Sequence, residues 1–160
     1  MSAVVSDTSP INYLIRLGEI ELLPLLFGEV LIPPAVLQEL QDAGAPDVVR
    51  EWAFQIPPWR VSSRRRLSIG RWIWVLVKWR LSRSRKNSGD TLLLMDERKG
   101  RKAAWENGVR TAGTLNILEE AAVRGLLDFE QTVARLRATN FRIKNSVLAE
   151  FVARARARRE

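Results

Sequence analysis

Residues 3–10 of the chain read AVVSDTSP, an apolar run that changes abruptly to polar residues. A run of this length and composition predicts a short buried strand that breaks into a helix. Ser9 is suited to cap that helix and Pro10 to occupy its first position, which predicts a helix over residues 11–17. Asp7 would then lie just past the end of the strand, where open parallel sheets bind their ligands.

The same alternation of apolar runs and helical patterns continues to the end of the chain. A chain of 160 residues fits one domain and can bury roughly two thirds of the surface that its unfolded form exposes. Short apolar strands that alternate with helices favour an α/β fold with a parallel sheet covered on both faces. Further strands are predicted at residues 30–32, 91–95 and 109–111. Further helices are predicted at residues 22–26, 34–41 and 46–54 and, after Gly100, up to residue 107. The last three predicted helices run from a cap at Thr114 to Gly125, over residues 129–137 and over residues 147–158.

Two aspartates directly follow predicted strands, Asp7 after the first and Asp96 after the run at residues 91–95. Because two close carboxylates resist joint ionisation unless a cation compensates them, this pattern indicates a metal site. A hard ion such as Mg²⁺ takes oxygen ligands and keeps several waters, so such a site would be open to substrate. The alternative is that Asp7 begins an Asx-turn and Asp96 a surface loop, both ordinary roles of aspartate after a strand.

Glu39 is a third candidate ligand, on the helix predicted at residues 34–41. It borders the apolar stripe that contains Val36 and Leu40, so its side chain could lean over the end of the sheet. A solvated helix carboxylate explains the same spacing. The pattern leaves both interpretations open.

The chain contains no Cys and no His. This composition excludes thiolate nucleophiles, thiol redox chemistry, Ser-His-Asp triads and imidazole metal sites. Any catalysis must therefore use carboxylates, hydroxyls or amines. Met1 is followed by no basic region and no small-residue cleavage site, which predicts a cytoplasmic protein.

Five stretches of the chain carry further information: VVSDTSP (residues 4–10), IPPAVLQEL (32–40), LMDERKGRKAA (94–104), TAGTLNILEEA (111–121) and LRATNFRI (136–143). In this order they resemble a bacterial and archaeal family of PIN-like domains, DUF3368. The resemblance covers residues 3–59 and 89–153. It implies a PIN-like three-layer fold with a short, mainly parallel sheet flanked by helices, formed as a single domain over residues 1–160. It also implies a relationship to the toxin nucleases of toxin-antitoxin pairs.

The resemblance further implies a site for Mg²⁺ or Mn²⁺ built from acidic residues. Asp7 matches the family's first acid, Glu39 its second and Asp96 its last, so these three would be both metal ligands and catalytic residues. A bound metal would lower the pKa of a water toward neutrality and offset charge on the scissile phosphate of RNA. The implied partners are RNA, an antitoxin protein and a second copy of the chain. The supporting or substrate-contacting positions are Thr8, Ser9, Glu97 and Thr114.

The segment at residues 60–88 departs from the family pattern. It holds ten Lys or Arg residues and no acid, which leaves 16 basic residues against 18 acidic ones elsewhere, so the net charge of +8 belongs to this segment. Here the family carries a helix of the form LDxGxGExEAIALA, which supplies a third acid, whereas residues 69–86 read IGRWIWVLVKWRLSRSRK. Large indoles in place of alanines should prevent close packing, so we expect residues 60–88 to be poorly packed or only partly helical.

Three interpretations of the Arg/Trp-rich segment at about residues 60–88 compete. Its arginines and indoles are suited to bind phosphates and stack on bases, or to lie as a cationic helix on a membrane surface. A transmembrane span is excluded, because only residues 72–77 are free of charge and about 20 apolar residues are needed. The interpretation we favour is a frameshift that destroyed the third acidic motif. We therefore expect a metal-dependent ribonuclease with weak or no activity in this chain; the alternative function is non-catalytic binding of nucleic acid or of a partner protein.

The frameshift hypothesis makes a prediction about the gene. If the last base of each codon is read with the first two bases of the next, permitted codons reproduce the family motif, including glutamates at the junctions of Val77 with Lys78 and of Trp79 with Arg80. The frame would be restored near Gly89. The nucleotide sequence tests this directly: codons that cannot encode Glu at those two junctions contradict the hypothesis.

Overall fold

A computed structural model describes residues 3–55, 57–62 and 91–159 of the chain. The strands in these residues are β1 (Ala3–Ser6), β2 (Val30–Ile32), β3 (Arg60–Ser62), β4 (Thr91–Leu94) and β5 (Arg110–Ala112). Together they form one five-stranded sheet in the order β3-β2-β1-β4-β5, and every pairing is parallel. The predicted α/β class and parallel sheet are confirmed.

Helices flank this sheet throughout the described part of the chain. None of them is long and apolar enough to cross a membrane. They are α1 (Thr8–Leu17), α2 (Leu22–Phe27), α3 (Pro34–Leu40), α4 (Asp47–Phe54), α5 (Arg98–Glu106), α6 (Thr114–Val123), α7 (Phe129–Arg137) and α8 (Asn145–Ala157).

The sheet is covered on both faces because successive side chains of a strand point to opposite sides. In β1, Val4 belongs to the larger core, which the sheet shares with α1 to α4 and α6 to α8. Val5 belongs instead to a smaller core with Leu93, Met95 and Ala104, the last of these on α5. The described helices and sheet therefore form three layers, with α5 on one face and the other helices packed against the opposite core.

The pairing of β1 with β4 runs from Ala3 opposite Thr91 to Ser6 opposite Leu94. The Asp7 N–H extends it by donating to the Leu94 carbonyl at 2.9 Å. Because both strands run in the same direction, the residues that follow them leave the sheet at the same edge.

Two predicted helix caps are wrong. The cap of α1 is Asp7, whose carboxylate accepts the Thr8 N–H at 2.7 Å, so Ser9 and Pro10 already lie within the first turn. Proline is tolerated there because the first four N–H groups of a helix have no intrahelical partner. The cap of α6 is Gly113 and not Thr114, which is the first residue of the helix.

The Arg/Trp-rich segment at about residues 60–88, the anomalous segment, begins in the sheet. We expected it to be poorly packed or only partly helical, and its first three residues, Arg60–Ser62, form β3, in register with β2 from Val30 to Ile32. A short edge strand needs little apolar sequence of its own, since its backbone hydrogen bonds to β2 hold it in place. The rest of the segment, residues 63–88, lies outside the described residues. The strand predicted at residues 109–111 is β5, one residue further along.

Helix α8 is held to α6 by a partly buried ion pair that was not predicted from the sequence. Glu119 is only 3% exposed, and it accepts from Arg154 through Nε at 2.5 Å and Nη2 at 2.8 Å. Arg158 adds a longer contact of 3.7 Å to the same carboxylate. A buried carboxylate with a bidentate partner is stabilising only while the partner is present.

We expect Glu119→Gln to lower the free energy of unfolding by about 1–3 kcal/mol, because it removes the charged acceptor of Arg154. We do not expect the larger loss of unfolding free energy that follows when a fully buried ion pair is broken, because the Arg154 side chain is 49% exposed and water can solvate it. The matched control is Glu120→Gln on the same helix, whose more accessible pairs with Arg124 and Arg158 should contribute at most about 1 kcal/mol. Urea unfolding measures both, and equal losses for the two variants would contradict this role of Glu119.

Candidate functional site

Asp7 leaves the central strand β1 at the carboxyl edge of the sheet and caps α1. Burial raises the pKa of Asp7 from its ordinary 3.8 to about 6, against the effect of the Thr8 N–H, which lowers it. The nearby carboxylates of Glu39, Glu97 and Asp96 make smaller contributions to this increase. Burial and these carboxylates together outweigh the hydrogen bond that favours the charged form of Asp7.

Asp96 follows the neighbouring strand β4 and is held by the first residue of α6. Its Oδ1 accepts the Thr114 N–H at 2.7 Å, and its Oδ2 accepts the Thr114 hydroxyl at 2.6 Å. Burial raises the pKa of Asp96, while the two bonds from Thr114 and the nearby charge of Arg101 lower it. Thr114 is fully buried, so Asp96 has one fixed orientation.

Two glycines allow this arrangement because a side chain at either would collide with it. A methyl group at Gly113 would lie 2.9 Å from Asp96 Oδ1. A methyl group at Gly100 would lie 2.2 Å from the sulfur of Met95, which is 1% exposed. Close approach of α5 to Met95 thus fixes the strand end from which Asp96 projects.

Glu39 reaches the site from α3. Its Oε2 accepts the Thr8 hydroxyl at 2.5 Å, which links α3 to the first turn of α1 beside Asp7. The predicted candidates Asp7, Thr8 and Glu39 therefore lie together, and Asp96 with Thr114 lies at the next strand end.

The donor set fits a hard divalent cation in its chemistry, since all the acidic groups offer oxygen. No group of three or more acidic side chains within residues 3–55, 57–62 and 91–159 is gathered closely enough to hold a metal by itself. Mg²⁺ does not need such a cage, because it is commonly bound through one or two carboxylates with waters and substrate phosphates in the other positions. Asp7 and Asp96 offer carboxylates for that mode of binding, and a cation there would favour the charged form of Asp7, which burial disfavours.

A cleft of about 580 Å³ opens on the Asp96 side of this site. Among the predicted candidates, Ser9, Asp96 and Glu97 line it. The outer wall of the cleft consists of residues to which no role was predicted from the sequence, in the stretch LRATNFRI and its continuation. An aromatic residue between a polar and a basic one, Asn140-Phe141-Arg142, followed by Lys144, is the pattern that could have indicated a binding surface. They project from the connection between α7 and α8.

Comparison with known proteins identifies the family of this chain. Neither the curated proteins nor the solved structures include a match to this chain. The family model DUF3368, described as a PIN domain, matches residues 3–68 and 81–157. The match extends further on both sides of the anomalous segment than the resemblance seen in the sequence, and it leaves residues 69–80 unmatched. Because the matched residues make up most of the chain, the protein belongs to the DUF3368 family of PIN domains.

Proposed function

We propose that this PIN-type, nuclease-like domain is built for hydrolysis of RNA with Mg²⁺ or Mn²⁺ held by Asp7 and Asp96. Glu39, which is fastened to α1 through Thr8, would supply the third carboxylate, directly or through a metal-bound water. When bound, the metal would supply an activated water and offset charge on the scissile phosphate. With no His in the chain, a carboxylate or the metal-bound hydroxide would accept the proton.

The observation that carries this proposal is the state of Asp7. A carboxylate at a sheet's carboxyl edge, with its pKa raised to about 6 by burial and by Glu39, Glu97 and Asp96, is poised to gain a cation. Thr114 supports the proposal because its N–H and hydroxyl hold both oxygens of Asp96 in one orientation. Such outer contacts align metal ligands in known sites.

We propose in addition that the activity of this chain is weak or absent. The acid that the family places between Glu39 and Asp96 has no counterpart, since residues 60–88 contain no Asp or Glu. Loss of one carboxylate should cost at least the 10- to 100-fold typical of defects in outer contacts of a metal site. The second candidate function, non-catalytic binding of RNA or of a partner protein, is favoured by the same missing acid. A toxin role with an antitoxin partner, and a homodimer, belong to this proposal through the family alone.

A nuclease assay on two proteins tests the proposal. One is the chain as it exists, and the other is a frame-restored version in which residues 63–88 follow the shifted reading frame and β3 is kept. With Mg²⁺ or Mn²⁺ we expect the restored protein to cut single-stranded RNA at least roughly 10- to 100-fold faster than the chain itself. Asp96→Asn in the restored protein should abolish the cutting. If the restored protein is folded and inactive, the enzymatic function is wrong and the binding function takes its place.

The raised pKa of Asp7 predicts how stability depends on pH without metal. The pKa of Asp7 is about 6 in the folded chain, against an ordinary value of 3.8. Protonated Asp7 therefore contributes its full share of the unfolding free energy below about pH 4, and this contribution is lost as the pH rises through 6. Asp7→Asn stays neutral and can still cap α1, so we expect it to be more stable than the native chain above pH 6 and equally stable below pH 4.

Urea unfolding in EDTA at about pH 4 and pH 7.5 measures this difference. The matched control is Asp128→Asn, which makes the same change at the exposed cap of α7 and measures the effect of an Asp→Asn cap substitution at a site away from the other acids. Addition of Mn²⁺ at the higher pH should stabilise the native chain and leave Asp7→Asn unchanged. If the unfolding free energies of the native chain and of Asp7→Asn depend on pH in the same way, the raised pKa of Asp7 is contradicted.

A further inference from the structure

We propose that the cleft beside Asp96 is a subsite for one nucleotide of single-stranded RNA, with Arg142 and Lys144 on its phosphates and the ring of Phe141 against its base. The inference rests on the proposed function, since it places this nucleotide next to the phosphate at Asp96. It adds the residues that bind RNA outside the metal site.

The charge of the cleft fits a phosphate chain. Four cationic side chains line it against two acidic ones. The acidic pair, Asp96 and Glu97, lies at the end that joins the metal site, while Arg142 and Lys144 lie on the outer wall and are exposed. Within the described residues, neither of these two outer cations takes part in an ion pair that would compete with a phosphate. With Arg98 and Arg101 on the Asp96 side and Arg142 and Lys144 on the outer wall, the lining of the cleft carries a net positive charge that suits a phosphate chain.

The wall that carries these cations is held in place by hydrogen bonds. Asn140 Oδ1 accepts from Arg16 at 2.7 Å and from the Tyr13 hydroxyl at 3.3 Å, which ties the connection between α7 and α8 to α1. The Phe141 N–H donates to the Thr139 hydroxyl at 3.1 Å. A wall fixed in this way binds a flexible strand without first having to be ordered.

The same wall presents an aromatic surface. Phe141 meets Tyr13 edge to face, with ring centroids 4.9 Å apart, and both rings line the cleft while remaining partly exposed. Phe151 from α8 adds a third ring to the lining. Every base has a face that stacks on such a ring, so an aromatic wall between cations favours a single strand over a duplex, whose bases are already stacked.

The first test removes the outer cations. Binding of a fluorescent single-stranded RNA of about 12 nucleotides is measured in EDTA, so that neither metal nor cleavage is needed. We expect the double variant Arg142→Ala, Lys144→Ala to bind roughly 10-fold more weakly at about 0.1 M salt, and the slope of log affinity against log salt to fall by roughly 1.4, for two lost phosphate contacts.

The matched control is the double variant Lys102→Ala, Arg159→Ala, which removes one lysine and one arginine from exposed positions outside the cleft. It should leave both affinity and slope close to those of the native chain. Equal losses in the two double variants would show that binding depends on overall charge and would overturn the subsite. Preferential binding of a polyglutamate peptide over RNA, lost in the cleft variant, would overturn it in favour of a protein partner.

The second test addresses the base. Phe141→Leu keeps an apolar side chain and removes the ring, so we expect roughly 5- to 140-fold weaker binding of the RNA, the range that one stacked base represents. An oligonucleotide of the same length built from abasic sugar phosphates should bind the native chain and Phe141→Leu equally. A merely structural role of Phe141 would weaken both ligands alike, and that outcome would overturn the assignment. Thermal unfolding of Phe141→Leu verifies that the variant is folded.

These binding measurements separate the subsite from the proposed activity. RNA binding that depends on the cleft, together with an inactive frame-restored protein, would refute the nuclease function and leave the subsite standing. Cleavage by the restored protein with no effect of the cleft variants on RNA affinity would refute the subsite alone.

Discussion

The parallel pairing of β1 with β4 is the constraint on which the site depends. It is the central contact of the sheet, it continues into the hydrogen bond from the Asp7 N–H to the Leu94 carbonyl, and it brings Asp7 and Asp96 out at one edge. No other element is needed to bring the two carboxylates to neighbouring strand ends. The helices then determine how the carboxylates point, α1 through the cap at Asp7 and α6 through Thr114.

Burial makes the charged forms of both carboxylates less stable than they are in water, and the chain only partly compensates for this. Asp96 receives two donors from Thr114 and the nearby charge of Arg101, yet burial still raises its pKa. Asp7 receives the Thr8 N–H and has three carboxylates around it. Elsewhere the chain handles a buried acid differently, since Glu119 is matched by the bidentate guanidinium of Arg154. The contrast separates a carboxylate that serves packing from the two carboxylates that we propose to bind a cation.

The sequence predicted those features that depend on local patterns. Apolar runs and the polar residues after them located the strands and placed Asp7 and Asp96 at their ends, because a buried parallel strand has little choice of composition. The caps were harder to predict, since Asp7, Ser9 and Thr114 are all good capping residues and tertiary contacts decided among them. The pair of Glu119 with Arg154 joins residues 35 apart and leaves no trace in periodicity. The outer wall around Phe141 was visible as a motif, but its position beside Asp96 depends on hydrogen bonds from Tyr13 and Arg16 of α1 to Asn140, which are distant in sequence.

The fold and the chemistry of this chain depend on different parts of its sequence. The family match stops at residue 68 and resumes at residue 81, yet β3 before the gap and β4 after it both belong to the same parallel sheet. Because β1 pairs with β4 directly, the unmatched residues are not required to bring Asp7 and Asp96 to the same edge. A missing third acid would therefore weaken the hold on a cation without moving the two acids that remain. Burial sustains the raised pKa of Asp7, and burial comes from the sheet and the helices that the family match covers. The proposed loss of activity is thus compatible with two acids that remain together at one edge of the sheet.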